Sequence, residues 1–233
     1  MILLSKRLED IAAACEGCDV LIDIGCDHGL IPVSLLQKDS IRFAVASDIN
    51  TGPLESAKRN AFEAGVSGRM RFVVSDGLAK IDLSDQLFSG KKTTLLISGM
   101  GGPLIEKIIN EGGKKIEGIG NFVFSPHSKL ADFRKYLGRS GFFIRNERLT
   151  KDEGKYYFII SCIRGEDACK DEQGYELGPG FFCEKSIEKA EYLKFRLNNF
   201  RDLSDNKNIK GDRRQEIEYK LRLYEKALRE YEA

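Results

Sequence analysis

No apolar run in this chain approaches the roughly 18 residues that a membrane-spanning helix requires. The amino-terminal segment also differs from a secretory signal. Met1 to Leu4 is too short for an apolar core, and Lys6 and Arg7 follow it instead of preceding it. Both absences favour a cytoplasmic protein that makes no contact with a membrane.

The chain has no excess of charge of either sign. Its 37 basic and 36 acidic residues give a formal net charge of +1, which excludes the uniformly basic surface of a histone-like protein. Nucleic-acid binding remains open, because a phosphate backbone responds to a local cluster of cations and not to the total charge.

Histidines are scarce, and the cysteines lack the spacing of a disulfide framework. We expect the six cysteines to be reduced thiols, because disulfide scaffolds are smaller and closely spaced. Cys15 and Cys18 form an isolated C-x-x-C pair, but the chain has only 2 histidines and no second pair to complete a zinc site. We therefore predict no metal site and interpret the pair as small residues at a helix end.

The chain does contain enough apolar sequence for a sizeable core. Its 233 residues are 42% hydrophobic, which suits one domain of ordinary size plus an appendage. Between Val20 and Gly141, short apolar runs alternate with segments of helical length. This alternation predicts right-handed βαβ units and a parallel sheet with helices on both faces. The expected strands are residues 20–24, 43–47, 70–74, 94–97 and 122–124.

Helix start and stop signals flank these strands. Ser5 is the expected cap of a helix that runs to about Cys15, and residues 30–36 have helical length after a turn. Pro53 suits the first turn of a helix that ends at Gly65.

Two further strands are expected at Gly141–Leu149 and Tyr156–Cys162, and the short turn 151–154 between them can form only a hairpin. An otherwise parallel sheet closed by an antiparallel strand is the layout of class I methyltransferases, a Rossmann-like α/β fold. We predict this fold for residues 1–165, followed by a polar, glycine-rich linker, 166–182.

The last segment, 183–233, has a different pattern. Two apolar seams at helical spacing predict a pair of antiparallel helices in a coiled-coil arm. The alternative is that both helices pack on the main domain as extra core, although their dense charges favour a solvated face on each. The seam residues are Cys183, Ala190, Leu193, Leu197 and Phe200, then Ile217, Leu221, Tyr224, Leu228 and Tyr231.

A glycine-containing turn follows the first strand. Asp23-Ile24-Gly25-Cys26-Asp27-His28-Gly29 joins strand to helix, and Gly25 permits positive φ and close approach of a ligand to the backbone. The dinucleotide signature GxGxxG is absent. The segment is instead similar to the first methyltransferase motif, D-x-G-x-G-x-G, with Asp27 in place of the middle glycine.

Three later segments add support because each ends a predicted strand, and ligands bind at the carboxyl ends of parallel strands. Asp48 is placed to accept hydrogen bonds from ribose hydroxyls, and Asp76-Gly77 to face an adenine edge. Gly99 to Gly102 would lie near a reacting methyl group. Turn or cap duty explains any one of these aspartates alone, but it does not explain all of them in this order.

Six segments, in order over residues 3–162, resemble the bacterial tRNA (adenine-22-N1)-methyltransferases. The resemblance implies an S-adenosylmethionine cofactor, tRNA as partner, and methyl transfer to N1 of an adenine. The segments are Leu4-Ser5-Lys6-Arg7-Leu8, Asp23-x-Gly-x-Asp-His, Asn50-x-Gly-Pro53, Asp76-Gly77-Leu78, Ser98-Gly99-Met100-Gly101-Gly102 and Gly154-Lys155-Tyr156-Tyr157.

The site residues follow from this resemblance together with strand placement. One segment departs from the family, because Ser125-Pro126-His127 stands where Gln-Pro-Asn is usual. For the cofactor we expect Asp23, Gly25, Asp27, Gly29, Asp48, Ile49, Asp76, Gly77 and Gly99; near the methyl group Asp27, His28, Met100 and Gly101; for the substrate Lys6, Arg7, Gly102, Pro126 and His127.

The expected reaction is direct attack of neutral adenine N1 on an activated methyl group, with no covalent enzyme intermediate. We expect basic residues to hold RNA phosphates, although each alone is more simply a solvated charge. Two alternatives stay open: a methyltransferase of another RNA position or a small molecule, and a non-catalytic RNA-binding protein on this fold. The basic residues are Lys6, Arg7, Lys58, Arg59, Lys129, Arg134 and Lys135.

Overall fold

The computed structural model describes residues 2–169 and 171–233. The chain divides into two compact units, Met1–Cys169 and Lys170–Ala233. The predicted linker, 166–182, is not structureless. It contains the helix Glu172–Leu177, and Leu177 and Phe181 are buried.

The first unit is built on one seven-stranded sheet. Its strand order is β3-β2-β1-β4-β5-β7-β6, in which β1 to β5 are parallel and β7 is antiparallel to both neighbours. The Rossmann-like class I methyltransferase sheet is therefore confirmed. The strands are β1 Val20–Ile24, β2 Phe43–Asp48, β3 Met70–Val74, β4 Thr93–Ser98, β5 Asn121–Ser125, β6 Phe142–Asp152 and β7 Lys155–Arg164.

Five α-helices of the first unit cover the sheet. Helix α2 contacts both α1 and α3, and all three share an apolar cluster with Leu21, Leu96 and Val123. The side chains of successive strand residues point to opposite faces, and on the other face the Phe124 ring packs edge-on against Phe133 of α5, with centroids 5.5 Å apart. The helices are α1 Lys6–Cys15, α2 Leu30–Gln37, α3 Thr51–Glu63, α4 Gly102–Gly112 and α5 Leu130–Arg139.

Local sequence explains where these elements begin and end. The Ser5 side chain accepts a hydrogen bond from the Leu8 backbone N–H and caps α1. In the hairpin, the strands extend further than predicted, and only Glu153 and Gly154 form the turn. Both have positive φ, 47° and 75°, as a two-residue hairpin turn of the right twist requires.

The second unit contains α6 Glu172–Leu177, α7 Ile187–Asp205 and α8 Gly211–Glu232. Two ion pairs, Lys194–Glu232 and Arg201–Glu225, connect the helices in opposite directions, so α7 and α8 are antiparallel as predicted. Cys183 was wrongly assigned to the seam, because it lies before α7 and is exposed.

Inside this second unit, a buried carboxylate attaches α6 to the helical pair. Glu176 accepts a hydrogen bond from the Tyr224 hydroxyl at 3.0 Å and pairs with Lys220 and Arg196. On α8 the buried residues include Leu223 and Ala227 beside the predicted Ile217, Tyr224 and Tyr231. The seam is thus broader than the four-and-three spacing indicated, because α6 adds a second contact surface.

Arg134 was wrongly grouped with the phosphate-binding residues. Its side chain is fully buried, and its Nε donates to Glu147 at 3.1 Å, with the guanidinium 4.9 Å from the centre of the Phe158 ring. The sequence of α5 alone does not show that Arg134 is buried, because its partner Glu147 lies on a different element, β6. This ion pair ties α5 to β6.

Replacing Glu147 with glutamine should destabilise the first unit. The buried guanidinium would lose its counter-charge, and breaking one partner of a buried pair costs about 3–5 kcal/mol of unfolding free energy. Urea unfolding of the variant measures this loss. The matched control is Glu166→Gln at an exposed position, and equal stability of the two variants would contradict the assigned role.

Candidate active site

A cavity of about 520 Å³ opens at the carboxyl ends of β1, β2 and β4. Its wall also includes residues of α1, of α2 and of the loop after β5, so six separate parts of the first unit meet there. The lining residues are Arg7, Leu8, Asp23, Gly25, Cys26, Asp27, His28, Leu30, Ile31, Asp48, Ile49, Asn50, Ser98, Gly99, Met100 and His127.

The turn after β1 explains the first motif. Gly25, Asp27 and Gly29 all have positive φ, at 69°, 51° and 65°, which are the three glycine positions of the D-x-G-x-G-x-G pattern. Aspartate tolerates the left-handed region better than most residues, at a cost of about 1–2 kcal/mol relative to the right-handed one. Asp27 therefore preserves the turn and adds an exposed carboxylate at the cavity.

The two flanking glycines have different surroundings. A Cβ on Gly25 would overlap the methyl group of Met100, so the cavity wall is closed tightly at this point. A Cβ on Gly29 would lie 2.8 Å from the Cβ of Ala57. Gly29 does not line the cavity, and its packing explains it as the contact between α2 and α3.

Asp23 is the main electrostatic feature of the cavity. Its side chain lies on the central strand and is 3% exposed, and no described residue donates a hydrogen bond to its carboxylate. Burial raises the pKa of Asp23 to about 7, and the charges of Asp48 and Asp27 raise it further in the same direction. This half of the cavity is therefore short of one positive charge.

Asp48 and its neighbours form the adjacent wall. One carboxylate oxygen of Asp48 accepts the Asn50 backbone N–H at 2.9 Å, which fixes the side chain where β2 ends. Ile49 is 61% exposed although it is apolar. An apolar surface next to a fixed carboxylate suits a flat ring attached to a sugar.

The part of the cavity wall formed by α1 and by the loops after β4 and β5, called here the basic half, holds Arg7 and His127. Arg7 of α1 lies over the Tyr157 ring at 4.7 Å, and its Nε is buried without a hydrogen-bond partner in the described chain. Burial lowers the pKa of Arg7. The His127 ring lies 5.6 Å from the same tyrosine ring, and the pKa of His127 is lowered by its burial and by the charges of Arg7 and Lys155.

Two loops at this end are tied together by backbone hydrogen bonds. The His127 N–H donates to the Met100 carbonyl at 2.8 Å, Gly99 donates to Ser125 at 3.3 Å, and Gly102 donates to Ser128 at 3.2 Å. The loop after β5 is thus held against the loop after β4. Met100 and His127 cannot move independently.

Gly101 and Gly102 are glycines because of this loop contact. A Cβ on Gly101 would lie 3.0 Å from the Ser128 hydroxyl, and one on Gly102 would lie 3.0 Å from the Ser128 carbonyl. Neither glycine lines the cavity. The close contact with Ser128 explains both glycines without contact to a base.

Several other predicted site residues lie outside the cavity wall. Asp76 is exposed beyond β3, and a Cβ on Gly77 would lie 3.1 Å from Ile108, so that glycine serves packing on α4. Lys6 is exposed and pairs with Asp10. Pro126 is buried.

His28 and Asp27 form an exposed pair at the mouth of the cavity. The His28 Nε2 lies 3.4 Å from an Asp27 carboxylate oxygen, and both side chains are more than half exposed. The pair is accessible to a substrate but is loosely held.

Sequence reasoning missed six of the lining residues. Five of them adjoin predicted positions, and Ile31 follows one residue later, so wider motif windows would have found the set. They are Leu8, Cys26, Leu30, Ile31, Asn50 and Ser98. Within the described ranges, no cluster of three or more His, Cys, Asp or Glu side chains could hold a metal ion, and no helix is long and apolar enough to cross a membrane.

Asp23 should make stability depend on pH. Its folded pKa of about 7 exceeds the unfolded value of 3.8, so the folded state binds more protons between these values and loses stability as the pH rises. Relative to Asp23→Asn, the wild type should lose roughly 3 kcal/mol between pH 5 and pH 8. Denaturant unfolding across this range measures the difference. Asp202→Asn, at an exposed position of α7, is the control, and parallel pH curves for wild type and Asp23→Asn would refute the assignment.

Comparisons with known proteins agree with this geometry. A family model described as "Methyltransferase domain" matches residues 4–160. The tRNA (adenine(22)-N(1))-methyltransferase of Bacillus subtilis is 28% identical over 193 residues, which are 82% of this chain and 78% of that protein.

Solved structures give the same result. A Streptococcus pneumoniae protein, provisionally assigned as a tRNA (m1A22) methyltransferase, has a TM-score of 0.87 at 26% identity, and the match covers 97% of this chain and 100% of that one. The same protein in complex with S-adenosyl-L-methionine has a TM-score of 0.85 at 26% identity, with the same coverage. From the matched residues, the sheet order and the glycine turn after β1, this chain belongs to the methyltransferase-domain family.

Proposed function

We propose that this protein transfers a methyl group from S-adenosylmethionine to N1 of an adenine in tRNA, at position 22. The observation that supports it most directly is the make-up of the cavity wall, which holds both the buried Asp23 carboxylate and the Arg7 guanidinium. The Bacillus subtilis and Streptococcus pneumoniae relatives carry this activity in their names. The proposed setting is the cytoplasm, and the sequence, which leaves the oligomeric state open, is compatible with a monomer.

The carboxylate half fits the cofactor. S-adenosylmethionine carries a sulfonium and an amine, both cationic, and Asp23 is a buried carboxylate that lacks a cation. Gly25, two residues along the chain, lines the same cavity and packs against the Met100 methyl group. Asp48 is placed to accept hydrogen bonds from ribose hydroxyls, and Ile49 offers apolar contact to the adenine ring.

The chemistry needs little beyond positioning. The cofactor supplies an already activated methyl group, and the neutral N1 lone pair of adenine can attack it directly. The protein's own residues then bind both reactants in line and exclude water from the cavity. N1 lies on the base-pairing edge, so the base must leave its stack, at a cost of a few kcal/mol.

Contacts between RNA phosphates and cationic side chains near the cavity offset the cost of unstacking the base. Arg7 is the arginine that lines the wall itself, and its half-buried guanidinium lies over the Tyr157 ring. Lys6, Lys58, Arg59, Lys129 and Lys135 remain candidates for phosphate contacts further out.

The second unit is proposed to bind tRNA and to make no contact with the cofactor. All the cavity residues lie in the first unit, so the arm is free for another task. Residues 207–214, at the turn between α7 and α8, contain four basic residues and one acidic residue. Lys207 and Lys210 are exposed there.

Incubation of unmodified tRNA with protein and S-adenosylmethionine, followed by reverse transcription, tests the proposed reaction. N1-methyladenine blocks pairing, so a new stop should appear at adenine 22 and disappear when position 22 is changed to guanine. A stop elsewhere would assign another RNA position. Cofactor binding without any RNA product would favour a small-molecule substrate, and no cofactor binding would favour a non-catalytic protein.

Asp48→Ala should weaken S-adenosylmethionine binding by about 1–3 kcal/mol, the scale of charged hydrogen bonds left unmade. Titration calorimetry measures the change, with Asp202→Ala as the control at an exposed helix position. Affinity equal to that of the wild type would exclude Asp48 from the cofactor site.

Replacing Lys207 and Lys210 together with alanine should raise KM for tRNA several-fold, because two phosphate contacts are lost. The affinity for S-adenosylmethionine should not change. The matched control is Lys185→Ala with Lys226→Ala, which removes the same charge from elsewhere in the unit. An identical KM in the two double variants would show that the turn does not contact RNA.

A further inference from the structure

The basic half of the cavity must receive the target base if the carboxylate half receives the cofactor. The lining residues in this half are Arg7, Leu8, Gly99, Met100 and His127. Met100 contacts Gly25 at the boundary between the halves. A base that reaches the methyl group therefore lies beside Met100, with His127 held next to it through the Met100 carbonyl.

Adenine presents two groups at its reactive edge, the N1 lone pair and the exocyclic amine. The amine is a hydrogen-bond donor and needs an acceptor when it leaves water. Arginine has donors only, and leucine and glycine have no polar side chain. The Met100 carbonyl already accepts the His127 N–H at 2.8 Å. Among these five side chains, the imidazole of His127 is the strong acceptor.

The surroundings of His127 keep it in the form that accepts. Arg7 of α1 and Lys155 of β7 are the charged groups that lower its pKa, and burial acts in the same direction. Tyr157 of β7 packs at 5.6 Å from the ring. The loop after β4 adds no titratable side chain, since residues 99–102 are glycines and a methionine. At neutral pH one ring nitrogen is therefore unprotonated.

We propose that His127 accepts a hydrogen bond from the exocyclic amine of the target adenine and so directs N1 at the methyl group. This inference rests on the proposed function and identifies a specificity-determining residue within it. The carbon–sulfur bond breaks as the N1–carbon bond forms, the sulfur keeps the electron pair, and the positive charge passes to the base. The methylated base is a stronger donor, so the same hydrogen bond strengthens as the reaction proceeds.

His127 stands where the resembled family has asparagine, and an asparagine oxygen can accept the same hydrogen bond. The substitution therefore preserves the acceptor but makes it titratable. An asparagine variant is a conservative rescue, and an alanine variant removes the acceptor.

The test measures single-turnover methyl transfer by the full-length protein at saturating S-adenosylmethionine. The two substrates are tRNA with adenosine and tRNA with purine riboside at the target position, and purine riboside keeps N1 but lacks the amine. His127→Ala should slow transfer to adenosine roughly ten- to hundredfold. Purine riboside should slow the wild type similarly, and His127→Ala should slow purine transfer by no more than about threefold further.

His127→Asn should restore most of the rate and remove one feature of the pH profile. With S-adenosylmethionine kept saturating at every pH, the wild type should lose activity as acid protonates the imidazole, and the asparagine variant should not show this loss. Cofactor affinity and thermal midpoint should match the wild type in both variants, which separates the effect from misfolding.

Two results would contradict the proposal in different ways. If alanine slows adenosine and purine equally, or if asparagine keeps the acid loss, His127 does not face the amine while the proposed function stands. If the wild type methylates neither RNA, the proposed function itself fails, and the role of His127 fails with it.

Discussion

A buried carboxylate without a cation is the constraint on which the site depends. Asp23 lies on the central strand, with Asp48 and Asp27 adding negative charge on either side. Such an arrangement costs folding free energy unless a positive ligand arrives. The turn that follows, with positive φ at Gly25, Asp27 and Gly29, brings Gly25 and Asp27 into the wall of the same cavity. We therefore interpret the charge deficit as a binding device for a cationic cofactor.

The wall that carries Met100 and His127 depends on the hydrogen bonds between the loops after β4 and β5. Backbone hydrogen bonds between residues 99–102 and 125–128 hold Met100 and His127 as one wall, and the absence of side chains at Gly101 and Gly102 allows that approach. Helix α1 brings Arg7 to the same wall. It is fixed to β6 by the Arg148–Asp10 ion pair at 2.7 Å. In the proposed function, the carboxylates of this cavity receive the cationic donor and Arg7 receives the anionic RNA.

The sequence predicted the frame well because each element has a local cause. Ser5, Gly25 and Pro53 mark helix and strand ends through short-range hydrogen bonds and φ restrictions. Prediction from the sequence failed where the environment of a residue depends on tertiary contacts. Arg134 looked like a surface cation, but Glu147, thirteen residues later, draws it inward. Gly77 and Gly101 looked like ligand contacts, yet Ile108 and Ser128 explain them. Helix α6 was hidden in a polar stretch because its burial depends on Tyr224.

The central claim is that the ionised Asp23 carboxylate receives the cationic cofactor. Titration calorimetry of S-adenosylmethionine into wild type and Asp23→Asn at pH 6 and pH 8 tests it most directly. The wild type should bind about tenfold more tightly at pH 8, because its carboxylate, with a pKa of about 7, must lose a proton to pair with the ligand. The asparagine variant should bind more weakly and with no such gain. Equal affinity of the wild type at both pH values, or undiminished binding by the variant, would contradict the account.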